Sequence, residues 1–217
     1  MDIVANTTTL AGVGTGVADS YFTAWAQTIL AQSTPLADGN FYVRIMWEEG
    51  LSSGTAAWQT QGNTNPSAFI AAFQHFANAF HAVSPKFKIV WDTWPAANPV
   101  NGGDNSIYYP GDSYVDVISQ DPYLTTSTGQ NMNTALTRPN GLNWMASFAA
   151  AHNKPMAFSE WAFDSNDAGP VVTAYFNWMN SNNMIYEVYY DAWSGGQLDN
   201  NQFPATGATF KQAYCAS

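Results

Sequence analysis

The sequence predicts an α/β fold, a (β/α) TIM-type barrel that lacks the first two βα units. Three observations predict it. Short β-rich runs alternate with helical patterns, which implies βα units and a parallel sheet. The runs are apolar on both faces, as a sheet buried on both sides requires. Polar and aromatic residues gather where successive runs end: Glu48 and Glu49, Asp92 and Trp94, Asp121 and Tyr123, Glu160 and Trp161, Asp191 and Trp193. Strand ends that each offer such residues to one rim fit a closed barrel, whereas an open sheet would gather them at one switch point.

The elements follow in order. A weak strand run, Asp2–Asn6, precedes a helical pattern at Ala18–Gln32 and the strand run Phe41–Trp47. The next helix, Ser67–Val83, repeats Phe69, Phe73, Phe76 and Phe80 at the three-or-four spacing of one buried face. Pro66 stands where that helix begins, a position that tolerates a missing N–H. Strand runs Lys88–Trp94 and Val115–Asp121, helix Leu142–His152, strand Pro155–Trp161, helix Pro170–Ser181 and strand Ile185–Tyr190 complete the set. Some six strands result, where a full barrel has eight in about 250 residues. No repeat or linker divides the chain, so residues 1–217 read as a single barrel domain, incomplete at its N-terminus. Unpaired sheet edges in such a chain favour self-association.

Composition narrows the function. With 6 Lys+Arg against 16 Asp+Glu, the net charge is −10. No basic patch can be built from six cations, which excludes nucleic acid and anionic membrane surfaces as partners. No apolar run reaches the roughly 18–20 residues of a membrane span, and Met1-Asp2 leads into the first run without a basic leader segment. Cys215, the single cysteine, can form no intrachain disulfide. Cofactor motifs are wanting too. Gly12-Val13-Gly14-Thr15-Gly16 misplaces the third glycine of a dinucleotide loop, and His75 and His81 are six apart on a helix, unable to share a zinc ion. No G-x-S-x-G elbow is present. Aromatics make up 15% of the chain, amid many Asn, Gln, Ser and Thr. Flat rings beside short polar groups suit uncharged sugars, and they equally suit a Trp-rich core beneath a polar surface.

Glutamate is scarce: Glu48, Glu49, Glu160 and Glu187. Three of these lie at strand ends and none on a predicted helix. Alternation along a strand puts Tyr42, Arg44, Met46 and Glu48 on one face, with Glu49 turned away or opening the loop. An inward Arg44 needs an anionic partner, and a strand-end carboxylate such as Glu160 would supply it. Two carboxylates facing each other across a barrel mouth are the requirement of glycoside hydrolysis: one protonates the leaving oxygen, the other attacks the anomeric carbon or activates water. Salt-bridged rim residues are the structural alternative. Glu187, early in its strand, reads as structural.

These residues carry a resemblance. Arg44-Ile45-Met46-Trp47-Glu48 resembles the fourth-strand motif of glycoside hydrolase family 26 and its clan A relatives, in which an Arg precedes the acid/base Glu by four. Tyr108–Tyr123, with Pro110-Gly111-Asp112 and Asp121-Pro122-Tyr123, is similar to the sixth-strand signature, and Lys154–Trp161 to the seventh strand, whose last Glu is the nucleophile. The matches run in order over about residues 18 to 214. The resemblance implies a retaining mechanism with Glu48 as acid/base and Glu160 as nucleophile. Tyr123 would hydrogen-bond the nucleophile, and Trp161 and Trp193 would line the subsites nearest the scissile bond. The chain departs from the pattern after Glu48, reading Glu49-Gly50-Leu51, and carries Trp47 where His is commoner.

The division of labour requires Glu48 protonated and Glu160 ionised, with Met46 and Trp47 favouring the first state and Arg44 and Tyr123 the second. Trp91, Trp144 and Trp178 fall on strand or helix faces and read as core. Trp94, Trp161 and Trp193 follow strand ends, where stacking on sugar and packing are balanced, and Asp92, Asp121 and Asp191 are secondary candidates for binding sugar hydroxyls. The expected function is a retaining endo-β-glycosidase, without metal or cofactor, acting outside the cytoplasm on β-mannan, mixed-linkage glucan, xylan or a bacterial exopolysaccharide. Its rivals are a carbohydrate-binding barrel without catalysis and an inverting glycosidase.

Overall fold

The computed structural model describes residues 9–51, 53–54, 56–59, 65–96, 103–124, 131–192 and 197–216. The weak run Asp2–Asn6 and Trp193 lie outside them. The helices are α1 (Leu10–Val13), α2 (Asp19–Gln32), α3 (Pro66–Val83), α4 (Met132–Thr137), α5 (Leu142–Ala151), α6 (Gly169–Asn180) and α7 (Pro204–Ala216). The strands are β1 (Phe41–Arg44), β2 (Phe87–Thr93), β3 (Val117–Gln120), β4 (Met156–Trp161) and β5 (Met184–Tyr189). They hydrogen-bond in the order β1-β2-β3-β4-β5, and the β1–β2 and β4–β5 pairs are parallel. Five strands among the described residues are fewer than a complete barrel holds.

The chain groups into two compact units, Met1–Thr93 with Ala97–Ile118, and Trp94–Ala96 with Ser119–Ser217. In the first, the phenylalanine stripe of α3 is the core. Phe69, Phe73, Phe76 and Phe80 are all fully buried. Phe80 meets Phe76 at 4.3 Å, Phe87 of β2 at 5.0 Å and Trp25 of α2 at 5.5 Å between ring centroids. The helix starts where the sequence indicates. Asn65 caps it by accepting from Ser67 N and Ala68 N, and Pro66 occupies its first position. In β2, Lys88 alone escapes full burial, the signature of a strand covered on both faces. The glycine-rich segment forms the turn from α1 to α2, with Gly16 at φ +87, and is no dinucleotide loop. His75 pairs with Asp19 and His81 with Asp116, each within this unit.

In the second unit, β4 packs on α6. Phe158 stacks on Trp178 at 5.6 Å and Trp161 on Tyr175 at 5.8 Å. Phe210 of α7 closes the cluster, 5.6 Å from Trp161 and 4.9 Å from Tyr189 of β5. The helix α7, which carries exposed Cys215, has no counterpart in the sequence reading. Its Thr and Gly content lowers helix propensity and blurs the apolar stripe. α4 is missed because six residues hold too little periodicity to register.

Two predictions arise. Phe80→Ala should cost about 3–5 kcal/mol in urea denaturation, the range for deleting a fully buried aromatic ring; a loss below about 1 kcal/mol would mean this cluster is not a core. Asp116 accepts from His81 and from Ile89 N, both at 2.8 Å. Burial would raise its pKa, but those bonds and the nearby charges of His81 and Lys88 outweigh it and hold the carboxyl below its ordinary range. The stability it contributes is therefore complete above about pH 4 and is lost as pH falls through the lowered value. The stability gap between wild type and Asp116→Asn should be widest near neutrality and close in acid; a gap independent of pH would contradict this.

Candidate active site

In the first unit, β1 ends at Arg44, and the backbone then departs from strand geometry. Met46 and Glu48 are left-handed, at φ 51 and φ 53. The alternation expected through Glu48 therefore fails: Met46 is buried, whereas Trp47 is exposed and Glu48 half-buried. Left-handed backbone at a residue other than glycine costs roughly 1–3 kcal/mol and collects at functional sites. Here it is held from several sides. Glu48 N donates to Asp92 Oδ1 at 2.9 Å, and Glu49 N to the Asp92 carbonyl at 3.3 Å. Gln59 Nε2 donates to Glu48 Oε2 at 3.4 Å. Trp58 Nε1 donates to the Trp47 carbonyl at 3.0 Å, and the two indoles lie 4.9 Å apart.

Arg44 finds its anion within this unit at Asp92, 3.7 Å away, where the sequence pointed to a carboxylate such as Glu160. Its guanidinium also lies 6.0 Å from the Trp47 ring centroid, within cation–π range. Asp92 is fully buried, so it is a positioning group beneath Glu48 and not the sugar-hydroxyl ligand expected of it. Glu49 is fully buried and bridges to Thr93, turned away as alternation suggested. Gly50, at φ +91, passes so close to Asn105 that an added Cβ would lie 2.8 Å from its side chain.

In the second unit, Glu160 is half-buried near the end of β4. Tyr123 Oη donates to its Oε2 at 2.6 Å, the bond the family resemblance implies. Tyr123 in turn lies 6.4 Å from Trp94 and 6.3 Å, edge to face, from exposed Tyr190. Carboxylate, phenol and two further aromatic rings thus form one cluster. Trp161 is not part of it. It is fully buried against Tyr175 and Phe210, and its Nε1 donates to Glu187 Oε2 at 2.5 Å. A break in strand register between Phe158 and Trp161 causes this outcome. Glu187 therefore serves the core, and burial raises its pKa against the weaker opposing effect of the indole bond. Asp121 is fully buried, which removes it from sugar contact. Half-buried Asp191 accepts from Leu198 N at 2.5 Å.

Sequence reasoning missed Gln59 and Tyr190. Gln59 sits in a loop where no periodicity speaks, its one signal being adjacency to Trp58. Tyr190 was absorbed into a strand run, although the strand ends one residue earlier. Chemically, each unit offers a half-buried carboxylate beside aromatic rings, one approached by an amide donor and one by a phenol. Among the described residues no cluster of three or more metal-ligating side chains occurs, and no helix is long and apolar enough to cross a membrane.

The fold defines a class. It is that of part of a (β/α) barrel, shared with glycoside hydrolases of family 26. The catalytic domain of a Bacillus sp. JAMB-750 GH26 endo-β-1,4-mannanase matches with a TM-score of 0.63 at 18% identity, over 96% of this chain and 62% of that one. A GH26 β-mannanase from Bacteroides ovatus matches with a TM-score of 0.62 at 13% identity, over the same shares. In sequence, the chain is 28% identical over 219 residues to Endoglucanase H of Acetivibrio thermocellus, covering 91% of this chain and 22% of that protein. The chain thus spans less than two thirds of these relatives. No family model matches it.

Asp92 gives a test that needs no substrate. Asp92→Ala removes both the anion beside Arg44 and the acceptor of Glu48 N, and should destabilise the chain by about 3 kcal/mol in denaturant titration. A cost below about 0.5 kcal/mol would show that it organises nothing.

Proposed function

We propose that this chain carries a retaining endo-β-glycosidase activity, with Glu160 as nucleophile and Glu48 as general acid/base. The observation that supports it most is the Tyr123–Glu160 bond at 2.6 Å within the cluster of Trp94 and Tyr190. A phenol donating to the carboxylate holds it in one orientation, and half-buried Trp94 and exposed Tyr190 beside it suit the faces of a sugar. In the first step Glu160 attacks the anomeric carbon while Glu48 gives its proton to the departing oxygen. In the second, Glu48 takes a proton from water, whose oxygen displaces Glu160 from the glycosyl ester. Configuration is retained and the proton returns to Glu48.

The relatives' names, endo-β-1,4-mannanases and an endoglucanase, support β-mannan and β-glucan as the first substrates to test, before xylan and bacterial exopolysaccharides. Such polymers lie outside the cytoplasm, which is where we propose the protein acts.

The test is reducing-end release from a panel of these polysaccharides, with NMR of the first anomer formed. Glu160→Gln should lower turnover by about 10³-fold or more, as loss of a covalent nucleophile does. Glu48→Ala should silence polysaccharide cleavage yet spare aryl glycosides whose leaving groups need no proton, and added azide should restore its turnover. Inverted product would overturn the retaining mechanism. Equal glycan binding by wild type and Glu160→Gln, with no release by either, would favour a binding protein.

A further inference from the structure

We propose that the hydroxyl chain Ser119–Ser159–Tyr186 is the device that aims Glu160, an inference that rests on the glycosidase reading above. The argument begins with strand register in the second unit. Phe158 lies opposite Glu187 and Trp161 opposite Tyr189, so three steps along β4 match two along β5. One extra residue is housed at Ser159–Glu160, which is a β-bulge. Phe158 and Trp161 both pack on α6. Strict alternation would have put Glu160 on the same face as Phe158, in the helix layer, and would have sent Trp161 to the opposite face. The bulge reverses both assignments, as bulges beside active sites do. It buries Trp161 and lets Glu160 reach Tyr123.

A bulge breaks the hydrogen-bond ladder and must be held by other groups. Ser159 N donates to Ser119 Oγ at 3.0 Å. The two serine hydroxyls lie 2.6 Å apart, and Ser159 Oγ lies 3.0 Å from Tyr186 Oη. Both serines are buried. Three hydroxyls, two buried and that of half-buried Tyr186, thus link β3, β4 and β5 at the residue immediately before Glu160, and a linked set is stiffer than its separate bonds. They act through the backbone of Glu160 and are positioning residues.

The experiment compares Ser159→Ala, Tyr186→Phe and the hydroxyl-retaining Ser159→Thr on the panel substrate that the wild type cleaves, with a melting curve for each. Ser159→Ala and Tyr186→Phe should lower kcat by about 10- to 100-fold, the cost of displacing a reacting group by an ångström or less, while KM stays within about twofold. Ser159→Thr should recover most of the loss. A mechanism-based 2-deoxy-2-fluoro glycosyl fluoride of that substrate's sugar should label Glu160 more slowly in the two damaged variants, read by intact mass. The proposal is overturned if kcat per folded molecule stays at the wild-type value while only the melting temperature falls, or if KM alone moves. Tyr186→Phe guards against misfolding, because it removes one oxygen atom and little volume. A wild type that neither turns over nor labels would sink the glycosidase reading and this inference together. An active wild type, a dead Glu160→Gln and an unaffected serine pair would sink the inference alone.

Discussion

Burial on both faces governs this chain. Along β2, from Phe87 to Thr93, all but Lys88 is buried, so a charge carried on such a strand must meet a partner or move to the strand's end. Asp92 does both. It stands next to the last residue of the strand, fully buried, and meets the Glu48 N–H and the Arg44 guanidinium. Ion pairing this deep adds little net stability, because desolvation offsets much of the attraction. What it supplies is geometry, since that carboxylate, with Trp58 and Gln59, holds the segment that follows β1. In the second unit the same pressure leaves Glu160 near the end of β4, where the Tyr123 phenol reaches it.

How much was legible follows from what periodicity encodes. The four phenylalanines of α3 announced a buried face, and the helix begins within one residue of expectation and ends where expected. Strands β2, β4 and β5 lie within a residue of their predicted bounds. Apolar spacing reports burial, and these elements are defined by burial. Scarcity and position single out the candidate carboxylates, and the resemblance implies the Tyr123–Glu160 contact that the structure holds. What stayed hidden was direction. Nothing in Arg44–Glu48 marks two left-handed residues, and nothing in Phe158–Trp161 marks an extra residue, so alternation misplaced Met46, and Trp161 lies in the core and not at the subsite the resemblance implies. Gln59 comes to Glu48 from a loop, where contact is decided by tertiary structure alone.

Those failures of local rule fall at the two candidate carboxylates. Left-handed backbone sits at Glu48 and two residues before it, and a bulge sits at Glu160. Each departs from the conformation its neighbours prefer. Irregularities of this kind persist where the surrounding structure over-determines them. The surroundings here include the Asp92, Trp58 and Gln59 contacts in one unit and the linked hydroxyls in the other.

The left-handed residues also bear on how this chain can change under selection. Apart from glycine, the described residues with positive φ are Met46, Glu48, Asn140, Asn153 and Asn201. At three of these positions the chain already uses asparagine, which adopts that backbone with least strain. At 46 and 48 it does not. A population selected for thermal endurance alone would drift toward asparagine or glycine at these two sites, and β-branched replacements would be purged from both. Persistence of a carboxylate at 48 across such a selection would itself measure how strongly activity, and not folding, keeps it there.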